Sequence, residues 1–154
     1  MIASSSSSPS NEGVGNAIDG KSSTKYLNWD GRDSQPSGFV VTPSNNTTVV
    51  TGMRLQSAND APDRDPKSIK LEGSNDETIS GYDSGNWETI IQIDDISAWT
   101  ERYQKKELFF ANDATFKHYR WVTLDTQGSS NCCMQIAEVE LLGAPEYSSM
   151  AKSG

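Results

Sequence analysis

Short runs of apolar and β-branched residues, each closed off by turn residues, recur along the chain. They predict strands at Gly38–Pro43, Thr48–Ala58, Ser68–Ser74 and Trp87–Ile93, then at Lys106–Asn112, His118–Asp125 and Met134–Gly143. Within them the side chains alternate as a half-buried pleat requires. Ile69, Leu71 and Gly73 fall on one face, and Ala137, Val139 and Leu141 on another. No stretch carries a helical period. Strands at this spacing, with turns between them, predict an all-β domain, a jelly-roll β-sandwich. Trp87 and Trp121 lie inside strand patterns and are expected in the core. Trp99 has no assigned place.

Four connections are long and chemically rich: Lys25–Ser37, Asn59–Lys67, Asp94–Lys105 (which carries Trp99 and Tyr103) and Thr126–Asn131. A sandwich holds such loops rigidly while leaving them free to vary, so function is expected there. Asn75–Asn86 reads as an ordinary, flexible hairpin connection. The Ser-rich start, residues 1–10, and the end, residues 144–154, read as linkers or tails around a domain at 11–143, a module of a larger protein.

The 154 residues suit one domain, and only 34% of them are hydrophobic, which fits a loop-rich β fold better than a helical bundle. The net charge of −8 argues against a nucleic-acid partner, whose phosphates demand Lys and Arg, and favours neutral ligands and cations. No apolar run reaches the ~20 residues of a membrane span, and no signal peptide is visible. Residues 45–48 match a glycosylation acceptor.

The stretch "NAIDGKSSTKYLNW", Asn16 to Trp29, carries more than a turn needs. Calcium takes six to eight oxygens at ~2.3–2.6 Å. Asp19 offers a carboxylate and Thr24 a hydroxyl and a carbonyl. Gly20 lets the chain bend so that the carbonyls of Asn16 and Lys21 aim inward. The same residues could instead stabilise a turn by side-chain hydrogen bonds alone. Far along the chain, Glu138 is an acid embedded in "QIAEVEL"; if buried it needs a cation or hydrogen bonds, and otherwise it faces solvent.

Taken in order, "NAIDGKSSTKY", "VVTGMRLQSANDAPDRDPKSIKLEGSND", "NWETI", "FKHYRWVTLD" and "MQIAEVELLG" resemble the discoidin (coagulation factor type C) family. The likeness is greatest to its bacterial relatives, the galactose-binding-like carbohydrate-binding modules, and runs from about Asn11 to Gly143. It implies a jelly roll, often a structural calcium ion, and ligand recognition by loops at one end. Carried over, it adds the Ala137 carbonyl and the Glu138 carboxylate to Asn16, Asp19, Lys21 and Thr24 as the metal set. The ion would tie the first loop to the last strand.

A sugar presents an apolar face and a rim of hydroxyls, which aromatic rings and Arg, Asp or Asn side chains can match. In related modules the first loop and the loop after the "GMRLQS" strand supply these groups. Here that implies Tyr26, Asn28 and Trp29 from the first, and Asn59, Asp60, Arg64 and Asp65 from the second. Asn131, Cys132 and Cys133 would come from the third. Arg64 could equally pair with Asp63 or Asp65 to stiffen a Pro-braced loop, and Trp29 could pack as a lid. Relatives often place a His in the first loop, whereas the single His here is His118, in a predicted strand, which leaves galactose specificity unsupported.

Cys132 and Cys133 are the two cysteines of the chain. They either form a vicinal disulfide, which would give a compact apolar knob, or remain thiols; one distant His makes a poor zinc set. With one His and no GxSxG elbow, nothing picks out a catalytic group, so no enzyme activity is expected. The expected protein is a monomeric, secreted or cell-surface, calcium-stabilised module that binds a polysaccharide or oligosaccharide without catalysis. It would target a parent enzyme or surface protein. The alternative is an adhesion module whose loops recognise a protein or lipid surface, with the acidic charge disfavouring membrane docking.

Overall fold

A computed structural model describes residues 1–3, 8–31, 35–44, 48–128 and 132–145. The candidate acceptor at Asn45 and the candidate ligand residue Asn131 lie outside the described residues. Among the described residues ten strands form in chain order: β1 Ile2–Ala3, β2 Tyr26–Asn28, β3 Ser37–Val41, β4 Thr48–Gln56 and β5 Pro66–Ser74. They continue with β6 Glu88–Ile93, β7 Lys105–Phe109, β8 His118–Thr126, β9 Met134–Ile136 and β10 Glu138–Pro145. The sheets run β1-β3-β8-β5-β6, β10-β4-β7 and β2-β9, with every described pairing antiparallel. This is the expected all-β jelly-roll sandwich. Ile2–Ala3, inside the stretch expected to be a linker, pairs as an edge strand with Phe39 and Val40.

The core lies between the larger sheets and is lined from both. β3, β5 and β8 contribute Phe39, Ile69, Leu71 and Trp121, while β4 contributes Met53 and Leu55. Tyr26, Met134 and Ile136 of the small sheet plug one end. Phe39 packs against both Trp121 and Tyr26, with ring centroids 5.5 and 6.1 Å apart. Burying these apolar faces drives the collapse, and each fully buried large side chain contributes roughly 1.5–3 kcal/mol. Trp99 joins the core, 5% exposed, with its indole N–H directed to the Pro66 carbonyl.

The last predicted strand is really two. It breaks at Ala137, so that β9 pairs with β2 and β10 with β4. Tyr26–Asn28, expected within a loop, forms a strand, because three consecutive buried residues cannot leave their backbone polar groups unpaired, and β9 pairs them.

Two other expectations change on the outer face of the five-stranded sheet. Trp87 is half-buried rather than core, because the Arg120 guanidinium covers it 4.5 Å from the ring centroid. The connection 75–86 is anchored rather than free. Its Tyr82 carbonyl accepts from Arg120 Nη1 (2.6 Å), the Trp87 indole donates to the Ser84 carbonyl (2.7 Å), and Asp76 accepts from the Asn86 amide (2.7 Å). His118 is 5% exposed, and the Asp76 carbonyl can only accept, so Nε2 donates to it at 2.8 Å and Nδ1 accepts from the Thr42 hydroxyl at 2.8 Å.

Glu72, 5% exposed, has its Oε1 2.7 Å from Arg120 Nε. Arg120→Ala would leave that carboxylate with only Lys70 Nζ, 3.5 Å from Oε2, and we expect a stability loss of about 1–3 kcal/mol in urea unfolding, with faster proteolysis within residues 75–86. The double variant Glu72→Gln/Arg120→Met should recover part of the loss.

Candidate functional site

Three long connections meet at one end of the sandwich, and the chain ties them by specific bonds. Pairing of Leu27 with Gln135 and Asn28 with Met134 sets the first loop beside the segment that begins with the cysteines. The Gln135 side chain, fully buried, donates from Nε2 to the carbonyl of Asp60 and to its carboxylate, the latter at 3.1 Å. This brings the second loop alongside the small sheet. The Gly128 amide donates to the Asp63 carbonyl at 2.8 Å, and a Cβ on Gly128 would sit 2.5 Å from that of Asp63. Only glycine permits that approach.

Within this frame the expected ligand residues separate into two groups. Trp29 (44% exposed), Asn59, Asp60 and Cys132 present themselves to solvent, and Arg64 is half-exposed. Cys132 and Cys133 are joined as a vicinal disulfide, with Cys133 buried beneath it. Arg64 has no ion pair with Asp63 or Asp65 among the described residues, and its buried Nε has no acceptor there. Lys25 Nζ holds the Asp60 carboxylate at 2.9 Å. Those two bonds, from Lys25 and then Gln135, keep the Asp60 carboxyl below the usual carboxylate range.

Tyr26, Asn28 and Asp65 do not face a ligand. Tyr26 and Asn28 are fully buried, and the Asn28 amide donates to the Tyr26 hydroxyl at 3.0 Å. Their aromatic and amide chemistry serves the core at the β2–β9 end. Asp65 is also fully buried, gripped by both Arg102 amino groups, at 3.0 Å to Oδ1 and 2.7 Å to Oδ2. Burial pushes its carboxyl up, and the Arg102 guanidinium offsets part of that. Arg102 Nη1 also reaches the Asp60 carbonyl at 3.2 Å, so the pair clamps the second loop to the 94–105 connection.

Of the residues expected to hold a metal, Asp19, Lys21 and Thr24 meet Glu138 from the opposite end of the chain. Gly20 takes φ +75°, and the Lys21 amide then donates both to Asp19 Oδ1 (2.8 Å) and to Glu138 Oε1 (3.0 Å). The Thr24 hydroxyl donates to Asp19 Oδ2. Burial, then contact with Asp19, pushes the Glu138 carboxyl up to about 7. Burial acts on Asp19 in the same direction, but the bonds from Thr24 and Lys21 and the contact with Glu138 outweigh it and hold it low. Two carboxylates in contact, one of them prone to hold a proton, form a set that a divalent cation suits. No cluster of three or more His, Cys, Asp or Glu occurs among the described residues, so the rest of a shell would be hydroxyl and carbonyl oxygens. The Asn16 Nδ2 donates to the carbonyls of Asn11 and Lys25, at 3.0 and 2.8 Å, so the oxygens Asn16 could offer are its backbone carbonyl and Oδ1. The Ala137 amide is bonded to the Gln56 carbonyl at 2.9 Å, so Ala137 could likewise offer only its carbonyl.

Sequence reasoning missed Lys25, Gln56, Arg102 and Gln135. None stands out in a pattern of strands and turns, since each acts through a partner far along the chain.

A small sheet plugging the end of an antiparallel sandwich, with loops gathered over it, defines a galactose-binding-like jelly roll. Residues 1–139 match the F5/8 type C domain, and the chain belongs to that family. Among curated proteins none matches it. Solved structures share the fold at low identity. CBM32-5 of CpGH89 from Clostridium perfringens, in complex with GalNAc-β-1,3-galactose, is 20% identical, with 92% of this chain and 94% of that chain covered and a TM-score of 0.66. CBM32-3 from a family 31 glycoside hydrolase of the same organism is 18% identical over 94% and 89%, with a TM-score of 0.72. Chitosan-binding module 1 of a Paenibacillus sp. IK-5 chitosanase/glucanase is 21% identical over 92% and 94%, with a TM-score of 0.63.

Replacing Arg102 by Leu would leave Asp65 ionised and buried. Because the side chain of Arg102 is 21% exposed, we expect a loss of about 2–3 kcal/mol at neutral pH rather than the full cost of a broken buried pair. Without the guanidinium the folded-state pKa of Asp65 rises further above its unfolded value, so the protonated folded form is favoured. The deficit against the parent should therefore shrink as pH is lowered through that raised pKa. Urea titrations between pH 7 and pH 4 check this, and a deficit independent of pH would contradict it.

Proposed function

We propose that this domain is a non-catalytic carbohydrate-binding module whose loop end takes a sugar. The observation that carries the reading is the half-exposed Arg64, which has no ion pair and whose Nε has no hydrogen-bond partner among the described residues, on the loop end that also exposes Trp29 and the disulfide at Cys132. An exposed indole offers a stacking face, a guanidinium without an ion pair offers hydrogen bonds to hydroxyls, and the disulfide adds a rigid apolar edge. Two solved neighbours support the same class of ligand: one is in complex with GalNAc-β-1,3-galactose, and another is a chitosan-binding module. Single contacts of this kind give a Kd on the order of micromolar to millimolar. The single His is buried and bonded at both ring nitrogens, which is in keeping with a non-catalytic role. The domain acts as a monomeric unit of a larger secreted or surface protein, a setting that suits a disulfide.

We also propose a structural calcium ion. The carboxylates of Asp19 and Glu138, the Thr24 oxygens and the carbonyls of Asn16, Lys21 and Ala137 would hold it. The ion would replace the proton between two acids and cross-link the first loop to β10.

Electrophoresis through native gels cast with soluble polysaccharides, with calcium and with chelator, tests the binding. Retardation of the parent and its loss in Trp29→Ala and Arg64→Ala, with unchanged melting temperatures, is the expected result. A folded protein that no polysaccharide retards would favour adhesion to a protein surface instead. For the metal, calcium at about a hundred times its Kd should stabilise the parent by about 2.7 kcal/mol. Asp19→Ala and Glu138→Ala should abolish that increment, and an undiminished increment in both would refute the site.

A further inference from the structure

A second recess, on the flank of the sandwich beside the loop end, has features that packing does not explain. It is an open cleft of about 500 Å³. One wall is the turn Ser22–Lys25, the other is formed by Asn59 and Asp60, and Tyr103 closes it.

Tyr103 is the unexpected residue. Its backbone is left-handed, φ +59°, where glycine or asparagine is at ease and a bulky ring is strained by about 1–3 kcal/mol. The ring gains little burial in return, being 46% exposed. The backbone is nevertheless fixed on both sides. The Tyr103 amide donates to the Ala58 carbonyl (3.4 Å), and its carbonyl accepts from Gln56 Nε2 (3.1 Å). The turn leading to it is built around Gln104, whose Oε1 accepts from the Thr100 amide at 2.7 Å. A strained, rigidly mounted and exposed aromatic ring is better suited to meeting a ligand than to filling space.

Gln56, 5% exposed, also fixes the opposite wall, because its Oε1 accepts from the Ser22 hydroxyl at 3.0 Å. One buried amide therefore sets the spacing between the hydroxyl-bearing wall and the ring. Across the cleft Lys25 and Asp60 stand as an ion pair, with Asn59 beside them. An aromatic face opposed by hydroxyls, an amide and a paired cation and anion matches a pyranose unit, which shows one apolar face and donors and acceptors around its rim.

Building on the sugar-binding reading above, we propose that the Tyr103 cleft is a second saccharide subsite, joined to the loop-end site across Asp60, so that the domain engages consecutive units of a chain. Asp60 lines the cleft while its other bonds, to Gln135, face the small sheet beneath the loop end. The two subsites are thereby contiguous.

The test uses Tyr103→Gly, which removes the ring and suits the left-handed backbone, so the variant should melt no lower than the parent. Calorimetric titrations would use galactose, GalNAc-β-1,3-galactose and hexameric chitosan against the parent, Tyr103→Gly, Tyr103→Phe and Trp29→Ala. Of the probes that the parent binds, those longer than one sugar should lose about tenfold in affinity in Tyr103→Gly, keep it in Tyr103→Phe, and show a smaller loss for the monosaccharide. Trp29→Ala should weaken all of them. Unchanged affinity in Tyr103→Gly while Trp29→Ala weakens binding would overturn the second subsite and leave the loop-end site standing. A parent that binds none of the probes would overturn both.

Discussion

The break at Ala137 is the constraint on which the rest of the structure hangs. A single run of residues serves two sheets: Met134–Ile136 pairs with Tyr26–Asn28, and Glu138 onward pairs with β4. The Ala137 amide bridges the change by donating to the Gln56 carbonyl at 2.9 Å. Had the run continued in one sheet, the first loop and the last strand would have separate neighbours. Because it switches, Glu138 arrives at the Lys21 amide while Gln135, three residues earlier, reaches Asp60. The first loop and the loop of Asp60 are thus positioned by one splice. A one-residue slip would turn each of these side chains to the opposite face.

Buried charge, placed sparingly, organises what the sheets leave loose. Asp65 with Arg102 and Glu72 with Arg120 each lock one long connection onto the sandwich. Pairs of this kind are weak sources of net stability, since desolvation consumes most of the attraction. Their value here is positional: without Arg102 the buried Asp65 loses its ion-pair partner, and without Arg120 the buried Glu72 keeps only Lys70, 3.5 Å away. The acidic excess lies elsewhere, at exposed positions such as Asp83, Glu88, Asp95, Glu101 and Asp113. The net charge therefore describes the outer surface and not the interior of the ligand end, where Lys25, Arg64 and Arg102 gather.

The strands were legible because their pattern is local. Every predicted run from Gly38–Pro43 to Met134–Gly143 finds its counterpart, and the errors fall where long-range partners decide. Tyr26 and Asn28 have the residue types of a sugar site, yet a tyrosine hydroxyl can as readily satisfy a buried asparagine, and periodicity over three residues is too short to show a strand. Asp65 sits in a run of charges that reads as surface; only Arg102, on another connection, makes its burial tolerable. Trp87 follows a strand pattern, but its covering is an arginine rather than a second sheet. The Asp19–Glu138 meeting came through family resemblance, and no spacing along the chain could have supplied it.

A sugar met by one exposed indole, a half-exposed guanidinium and a disulfide edge, as proposed for the loop end, would be covered on only one face. Affinity at such a site is limited, and a shallow surface gains most by extending along the polymer, where each added contact is made without a new loss of translational freedom. The architecture favours extension in one direction. On the far side of Asp60 the wall is made by the same turn that carries Asp19 and Thr24, and the buried amide of Gln56 joins that turn to the mount of Tyr103. Whatever orders the Asp19 turn also orders the flank cleft. Rigidity at the first loop would then serve twice, once in closing the chain into a ring through Glu138 and once in holding the proposed cleft open, which gives a physical reason for the proposed ion to sit so close to the proposed recognition surface.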